Sequence, residues 1–271
     1  MLDYVLLFLS GLLGGFLAGL LGIGGGLIFV FVLTFYFDGL MVNQVELPRF
    51  LIANSIFATF FAALSASLRN RKMGHFEWKP VLKTALPGLF TLLILSYLIT
   101  EFDWYDKSKF AIGFSVLLLF FLLKMLIKPK TSGTFLPRKE TKYWMSIGGV
   151  SGIVSAMSGL GGGVLLVPLF TQVIYLPIKK ASSISLGVIA VWSFALSLYY
   201  IVFAVPENSI QIPNTIGYVV LPAAGSLALG VLVAAPFGAS LSKRLSNRLI
   251  KALFATLIAI VALKMIASFF W

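Results

Sequence analysis

The order of apolar and polar positions divides the chain into long uncharged stretches separated by short charged ones. Stretches of spanning length run over 4–21, 50–68, 84–100, 110–123, 143–158, 181–205, 215–241 and 252–271, against the roughly 20 apolar residues that a membrane-crossing helix needs. Two shorter apolar runs, 27–37 and 164–178, each follow a cluster of glycines. The pattern predicts an all-α polytopic membrane protein. Composition agrees: 59% of residues are apolar and 11% charged, whereas about a quarter of residues are charged in an average globular domain. No polar stretch is long enough to hold a separate soluble module.

The glycine clusters are copies of one another. Gly22-Ile23-Gly24-Gly25-Gly26 recurs as Gly159-Leu160-Gly161-Gly162-Gly163, 137 residues later, and the same offset pairs Gly11 with Gly148, Gly15 with Gly152 and Gly19 with Ala156. The longest polar stretch, 128–142, carries Pro129, Gly133 and Pro137 and reads as a linker. The expected organisation is a first transmembrane repeat over 1–130, a cytoplasmic linker over 131–142 and a second repeat over 143–271. Each repeat holds a glycine-broken or re-entrant element plus three further transmembrane helices.

Charge decides how the two repeats are oriented. The formal net charge of +12 invites a nucleic-acid reading, but the basic residues follow the loops. If each glycine-broken segment returns to the side it came from, Arg69, Arg71, Lys72, Lys79, Lys83, Lys179, Lys180, Lys243, Arg244 and Arg248 all fall on one side with the linker. By the positive-inside rule that side is cytoplasmic, and both termini are expected to be periplasmic. The basic 69–79 loop of the first repeat then corresponds to the Lys- and Arg-free 207–213 loop of the second, on the opposite side. This is the charge signature of an inverted repeat. The expected partners are the lipid bilayer and a small anionic substrate, with no nucleic acid; a homodimer is left open.

Four glycines in five positions remove helix propensity at about 1 kcal/mol each, so each helix is expected to break there. A break inside a membrane leaves backbone groups unpaired, which is tolerated only where protein, water or a solute satisfies them. The amides that open the following short helix, with the positive end of its dipole, favour an anion. Paired interrupted helices in corresponding positions mark the substrate site in many transporters. The candidate binding residues are therefore Gly24, Gly25 and Gly26 of the first cluster, and Ser158, Gly161, Gly162 and Gly163 of the second. Asn54 and Ser55 of the next helix join them, with Ser183 and Ser185 of its counterpart. The match between these last two helices has an offset of either 130 or 128. Gly11, Gly15 and Gly19 form a small-xxx-small stripe that reads as helix contact. Leu86-Pro87 and Leu221-Pro222 read as structural features near helix starts, and Lys124 and Lys264 as lysines reaching their membrane interfaces.

Catalysis has no visible machinery. No metal-ligand cluster, nucleophile with a base or phosphate loop occurs; the single histidine, His75, sits in a charged loop, and there is no cysteine. No cofactor is expected. The N-terminus lacks the basic region and cleavage site of a signal peptide, so the first segment is expected to remain a helix.

The run from Gly14 through Gly26, its copy from Gly149 through Val164, and the closing Leu245-Ser246 segment resemble the TauE/SafE family of membrane permeases, over essentially the whole chain. The resemblance implies a bacterial-type inner-membrane protein exporting sulfite, sulfoacetate or a related sulfur oxyanion. Asn54 stands where members often have threonine, and Phe31 where the second copy has Pro168, so the two halves of the site are not chemically equal. An inside-negative potential drives each negative charge outward by about 2.3 kcal/mol per 100 mV, so export by alternating access needs no coupled ion. The alternatives are an importer or channel for another small anion, and a non-transporting membrane subunit.

Overall fold

A computed structural model describes residues 2–40, 46–74, 76–101, 113, 115–117, 119–120, 123, 140–158, 163–204 and 212–270. Helix α1 is Leu2–Leu21, α2 is Gly26–Asp38, α3 is Leu47–Lys72 and α4 is Trp78–Glu101. In the second half α5 is Thr141–Ser158, α6 is Gly163–Gln172, α7 is Ile178–Leu198, α8 is Leu221–Arg244 and α9 is Asn247–Phe270. Leu2–Leu21, Leu47–Lys72, Trp78–Ile99, Ile178–Phe203 and Leu221–Arg244 are long and apolar enough to cross a bilayer. The expected span over 110–123 lies mostly outside the described residues, as do His75, Lys124 and nearly all of the linker.

Local chemistry sets the helix ends. Helices α3 and α8 each carry proline in the first turn, where its missing N–H costs nothing, and lysine or arginine in the last, where cations meet the negative end of the dipole. The run over 164–178 is helical only to Gln172. Tyr175 then takes a φ of 64°, the Leu176 amide turns back to the Phe170 carbonyl at 3.0 Å, and Pro177 precedes the next helix. Helix α7 loosens at its far end into a π-helical turn over Tyr199–Phe203.

The uncharged stretch over 215–241 is not one helix. Thr215–Ile216 (β1) and Val219–Val220 (β2) form an antiparallel hairpin around Gly217, and α8 starts only at Leu221. Pro222 accordingly sits at a helix start, whereas Pro87 lies inside α4.

Glycine seams hold the bundle together. Helix α1 lies parallel along α8, with Gly11, Gly15 and Gly19 against the backbones of Leu227, Val231 and Ala235, and with Gly230 and Gly238 filling in from the other side. Helix α5 lies parallel along α4 in the same way, Gly148 against Thr84 and Gly152 against Gly88. Both seams use small residues to bring backbones together, which is how helices associate in lipid, where no hydrophobic drive separates one apolar face from another. Helices α3 and α7 pack on each other at the centre, and the Trp192 indole of α7 donates to the Ala85 carbonyl of α4 at 2.9 Å.

The two ends of the bundle differ in charge. At one end Arg69 Nε donates to Ser240 Oγ at 2.7 Å, Lys83 Nζ to Thr141 Oγ1 at 2.8 Å, and Lys180 pairs with Glu77 at 2.6 Å. These bonds bring the end of α3, the starts of α4, α5 and α7, and the end of α8 to one basic face. At the other end the buried Glu46 carboxylate accepts from Arg49 at 3.0 Å and from the Tyr218 phenol, joining the start of α3 to the hairpin. Burial, then the bond to Glu46, raises the Tyr218 phenol above the usual tyrosine range, which keeps it a donor.

Candidate functional site

The first glycine cluster interrupts the helix as its composition requires. The Gly22 amide makes the last bond of α1, to the Ala18 carbonyl at 2.8 Å. Gly22, Gly24 and Gly25 then take φ values of +82°, +83° and +79°, a left-handed region that costs a non-glycine residue roughly 1–2 kcal/mol each. Gly25 caps α2, its carbonyl accepting from the Ile28 and Phe29 amides at 3.0 and 3.3 Å. Among the described residues, the Gly24, Gly25 and Gly26 amides donate to no backbone carbonyl. Helix α2 thus presents unspent donors and the positive end of its dipole at the break.

Both broken elements turn back to the end they came from. The Tyr4 and Tyr36 rings are 6.3 Å apart, so α1 and α2 form a hairpin open at the face opposite the basic one. The Trp144 and Phe170 rings are 5.5 Å apart, so α5 and α6 form a hairpin open at the basic face. Their tips meet inside the bundle. A Cβ on Gly163, the first residue of α6, would stand 2.5 Å from the Ile23 carbonyl oxygen and 2.6 Å from the Ile189 side chain.

Helices α3 and α7 supply the walls at this meeting point. Thr59 and Ile189 both touch Gly24, each about 3.0 Å from where its Cβ would be. They are 130 residues apart, which favours the register pairing Ser55 with Ser185. The Ser185 hydroxyl donates to the Gly22 carbonyl at 2.8 Å, satisfying a group that the break exposes. Ser182, one turn earlier on the same face, lies directly against Gly22. The Thr59 hydroxyl is buried and has no hydrogen-bond partner among the described residues.

The other expected residues are placed differently. The Asn54 amide nitrogen donates to the Phe50 and Tyr218 carbonyls at 2.7 and 2.9 Å, and its oxygen accepts from the Val220 amide at 2.9 Å. It clasps the hairpin rather than facing the break. The Ser55 hydroxyl is turned to the Ile52 carbonyl at 3.0 Å. Ser183 faces α8, donating to the Lys179 carbonyl and accepting from Lys243. Gly161 and Gly162 lie outside the described residues, as does the Ser158 side chain. Thr59 and Ser182 were not among the expected residues. Thr59 follows Ser55 by four positions on one helix face, and Ser182 precedes Ser185 by three; that spacing is the signal that would have found them.

Beyond the tips, α3, α4, α5 and α7 enclose a cavity of about 40 Å³ lined by Ile52, Ser96, Ser155 and Tyr200 among others, larger than the roughly 10–15 Å³ a single water needs. Tyr200 lies next to Tyr218, so the cavity is on the side away from the basic face. The buried Ser155 hydroxyl has no partner among the described residues.

The arrangement is a pair of facing hairpins between long apolar helices, the first with amides at its break that donate to no backbone carbonyl among the described residues. The family described as sulfite exporter TauE/SafE matches residues 7–265. The chain belongs to the TauE/SafE family. Among relatives, a probable membrane transporter protein of Haemophilus influenzae is 28% identical over 98% of this chain and 99% of its own length. A probable membrane transporter protein of Methanocaldococcus jannaschii is 24% identical over 96% and 94%. The probable membrane transporter protein YunE of Bacillus subtilis is 23% identical over 74% and 79%. No solved structure matches the chain. Family membership, relatives that match over nearly their whole length and the spanning helices together make this a multi-pass membrane transporter.

Proposed function

We propose that the protein exports a small sulfur-containing oxyanion, sulfite or an organosulfonate, across a bacterial-type inner membrane by alternating access. Its termini are then periplasmic and its basic face cytoplasmic, as the positive-inside rule asks. The observation that carries this reading is the meeting of the two hairpin tips at Ile23 and Gly163, where the first break keeps unspent amides. In this reading the Gly24, Gly25 and Gly26 amides, the Thr59 hydroxyl and the corresponding groups of the second cluster, Gly161 to Gly163, coordinate the anion. Neutral donors suit a cargo that must leave again, because none adds a fixed charge to hold it.

The reciprocal seams, α1 on α8 and α5 on α4, support two repeats of opposite topology, with the hairpins open at opposite ends. Rocking of one repeat against the other around the shared tips alternately exposes them to the basic face and to the cavity lined by Ser155 and Tyr200. The membrane potential supplies the direction, so no acidic relay is required.

Thr59→Val tests the site without disturbing the fold. The change is nearly isosteric and removes a buried hydroxyl that bonds to none of the described residues, so thermal stability should be unchanged or higher. If that hydroxyl contacts the anion, the half-saturating sulfite concentration in proteoliposome flux should rise by about tenfold, the worth of one hydrogen bond to a charged group. Unchanged half-saturation would remove Thr59 from the site.

A further inference from the structure

On the basic face, two lysines hold each other's main chains. Lys179 Nζ, at the start of α7, donates to the Lys243 carbonyl at 2.8 Å; Lys243 Nζ, at the end of α8, donates to the Lys179 carbonyl at 3.1 Å and to the Ser183 hydroxyl at 2.8 Å. Both side chains are half-buried, and among the described residues neither pairs with a carboxylate. Glu77, on the same basic face, is committed to Lys180 at 2.6 Å. Arg69 adds a third cation one turn back along α8, bonded to Ser240 at 2.7 Å. Like charges brought together out of water repel, and an ammonium has three donors, so Lys179 keeps two N–H groups and Lys243 one beyond the bonds given. Among the described residues this cationic cluster has no anion.

Its position says what the anion is for. Lys179 and Ser185 are six residues apart on α7, about 9 Å along the axis, and the Ser185 hydroxyl bonds the Gly22 carbonyl of the first break. Ser182, between them, lies against Gly22 itself. We propose that Lys179, Lys243 and Ser183 form a recruitment site for a small oxyanion, which gathers the substrate from the basic face and passes it along Ser182 to the glycine break. The proposal rests on the oxyanion reading of the break. The cluster supplies what the break itself lacks: fixed positive charge, placed where it raises the local concentration of anions without trapping them at the centre.

The same cations suit an anionic lipid headgroup, so the test separates the two sources. Wild-type protein in phosphatidylcholine nanodiscs is titrated calorimetrically with sodium sulfite, alongside K179Q, K243Q, the double variant and K243R; flux is measured in parallel. The expected result is sulfite binding weakened tenfold or more in the double variant, restored towards wild type in K243R, with a flatter dependence on ionic strength. A merely structural lysine pair would lower thermal stability but leave the salt dependence as it was. Equal affinity in wild type and double variant overturns the proposal, as does an absence of sulfite binding to the wild type. Binding that disappears in nanodiscs containing phosphatidylglycerol assigns the cluster to lipid and overturns it too. Binding that depends on the lysines without any flux would uphold the site and sink the transport reading instead.

Discussion

Gly163→Val is expected to lower sulfite flux by at least about 100-fold in protein that still purifies folded. The residue is helical, so the change adds little backbone strain. What it adds is a Cβ 2.5 Å from the Ile23 carbonyl oxygen, with the Ile189 side chain on its other side at 2.6 Å. Ile189 can turn away, but the carbonyl is fixed by the glycine break around it, so the two hairpin tips must part. A displacement of about 1 Å in a positioned site costs on the order of 100-fold in rate, while overpacking of this kind costs stability about 1–3 kcal/mol. Gly225→Ala is the control, because a Cβ there meets nothing within 4 Å and helical alanine is favoured over glycine by roughly 0.5–1 kcal/mol. Circular dichroism and gel filtration report the fold and flux reports the site; wild-type flux in Gly163→Val would mean that the tips are not where substrate passes.

Gly19→Leu should act on the fold instead. A Cβ at Gly19 falls 2.0 Å from the Ala235 carbonyl oxygen and 2.9 Å from the Ala239 amide nitrogen, backbone atoms in the middle of the α1–α8 seam. Because Gly11, Gly15, Gly230 and Gly238 extend the same contact on both helices, the seam cannot open at one point alone. A destabilisation of about 3 kcal/mol or more is expected, the upper end for overpacking, seen as a loss of folded yield and a fall in thermal unfolding temperature in detergent. Wild-type stability in this variant would show that α1 and α8 do not pack through their glycines.

These two glycines show how much of the molecule was legible beforehand. The seam follows from spacing alone: glycines four apart on an uncharged helix have one purpose in lipid, and Gly11, Gly15 and Gly19 serve it. The break was legible for the opposite reason, since Gly22 to Gly26 cannot continue a helix whatever surrounds them. What spacing did not give was rotation. Asn54 and Thr59 are on one helix but face differently, and Asn54 is claimed by a hairpin 164 residues away that hides inside the uncharged run over 215–241. Ser182 and Ser185 share the face of α7 that meets Gly22, while Ser183, about 100° round the same helix, points to Lys243. Pro87 was misplaced because the two repeats are out of step at this helix: Thr84 and Leu227 occupy matching places against Gly148 and Gly11, so Pro87 and Pro222 do not correspond.

Flux decides whether the two facing breaks pass a sulfur oxyanion down its electrical gradient. Proteoliposomes are loaded with sulfite or sulfoacetate, and an imposed potential of either sign is the only ion gradient acting on them. Exit is expected to be faster when the interior is negative, scaling with the charge of the anion. No movement under either sign, and none after proton and sodium gradients are added, would contradict it.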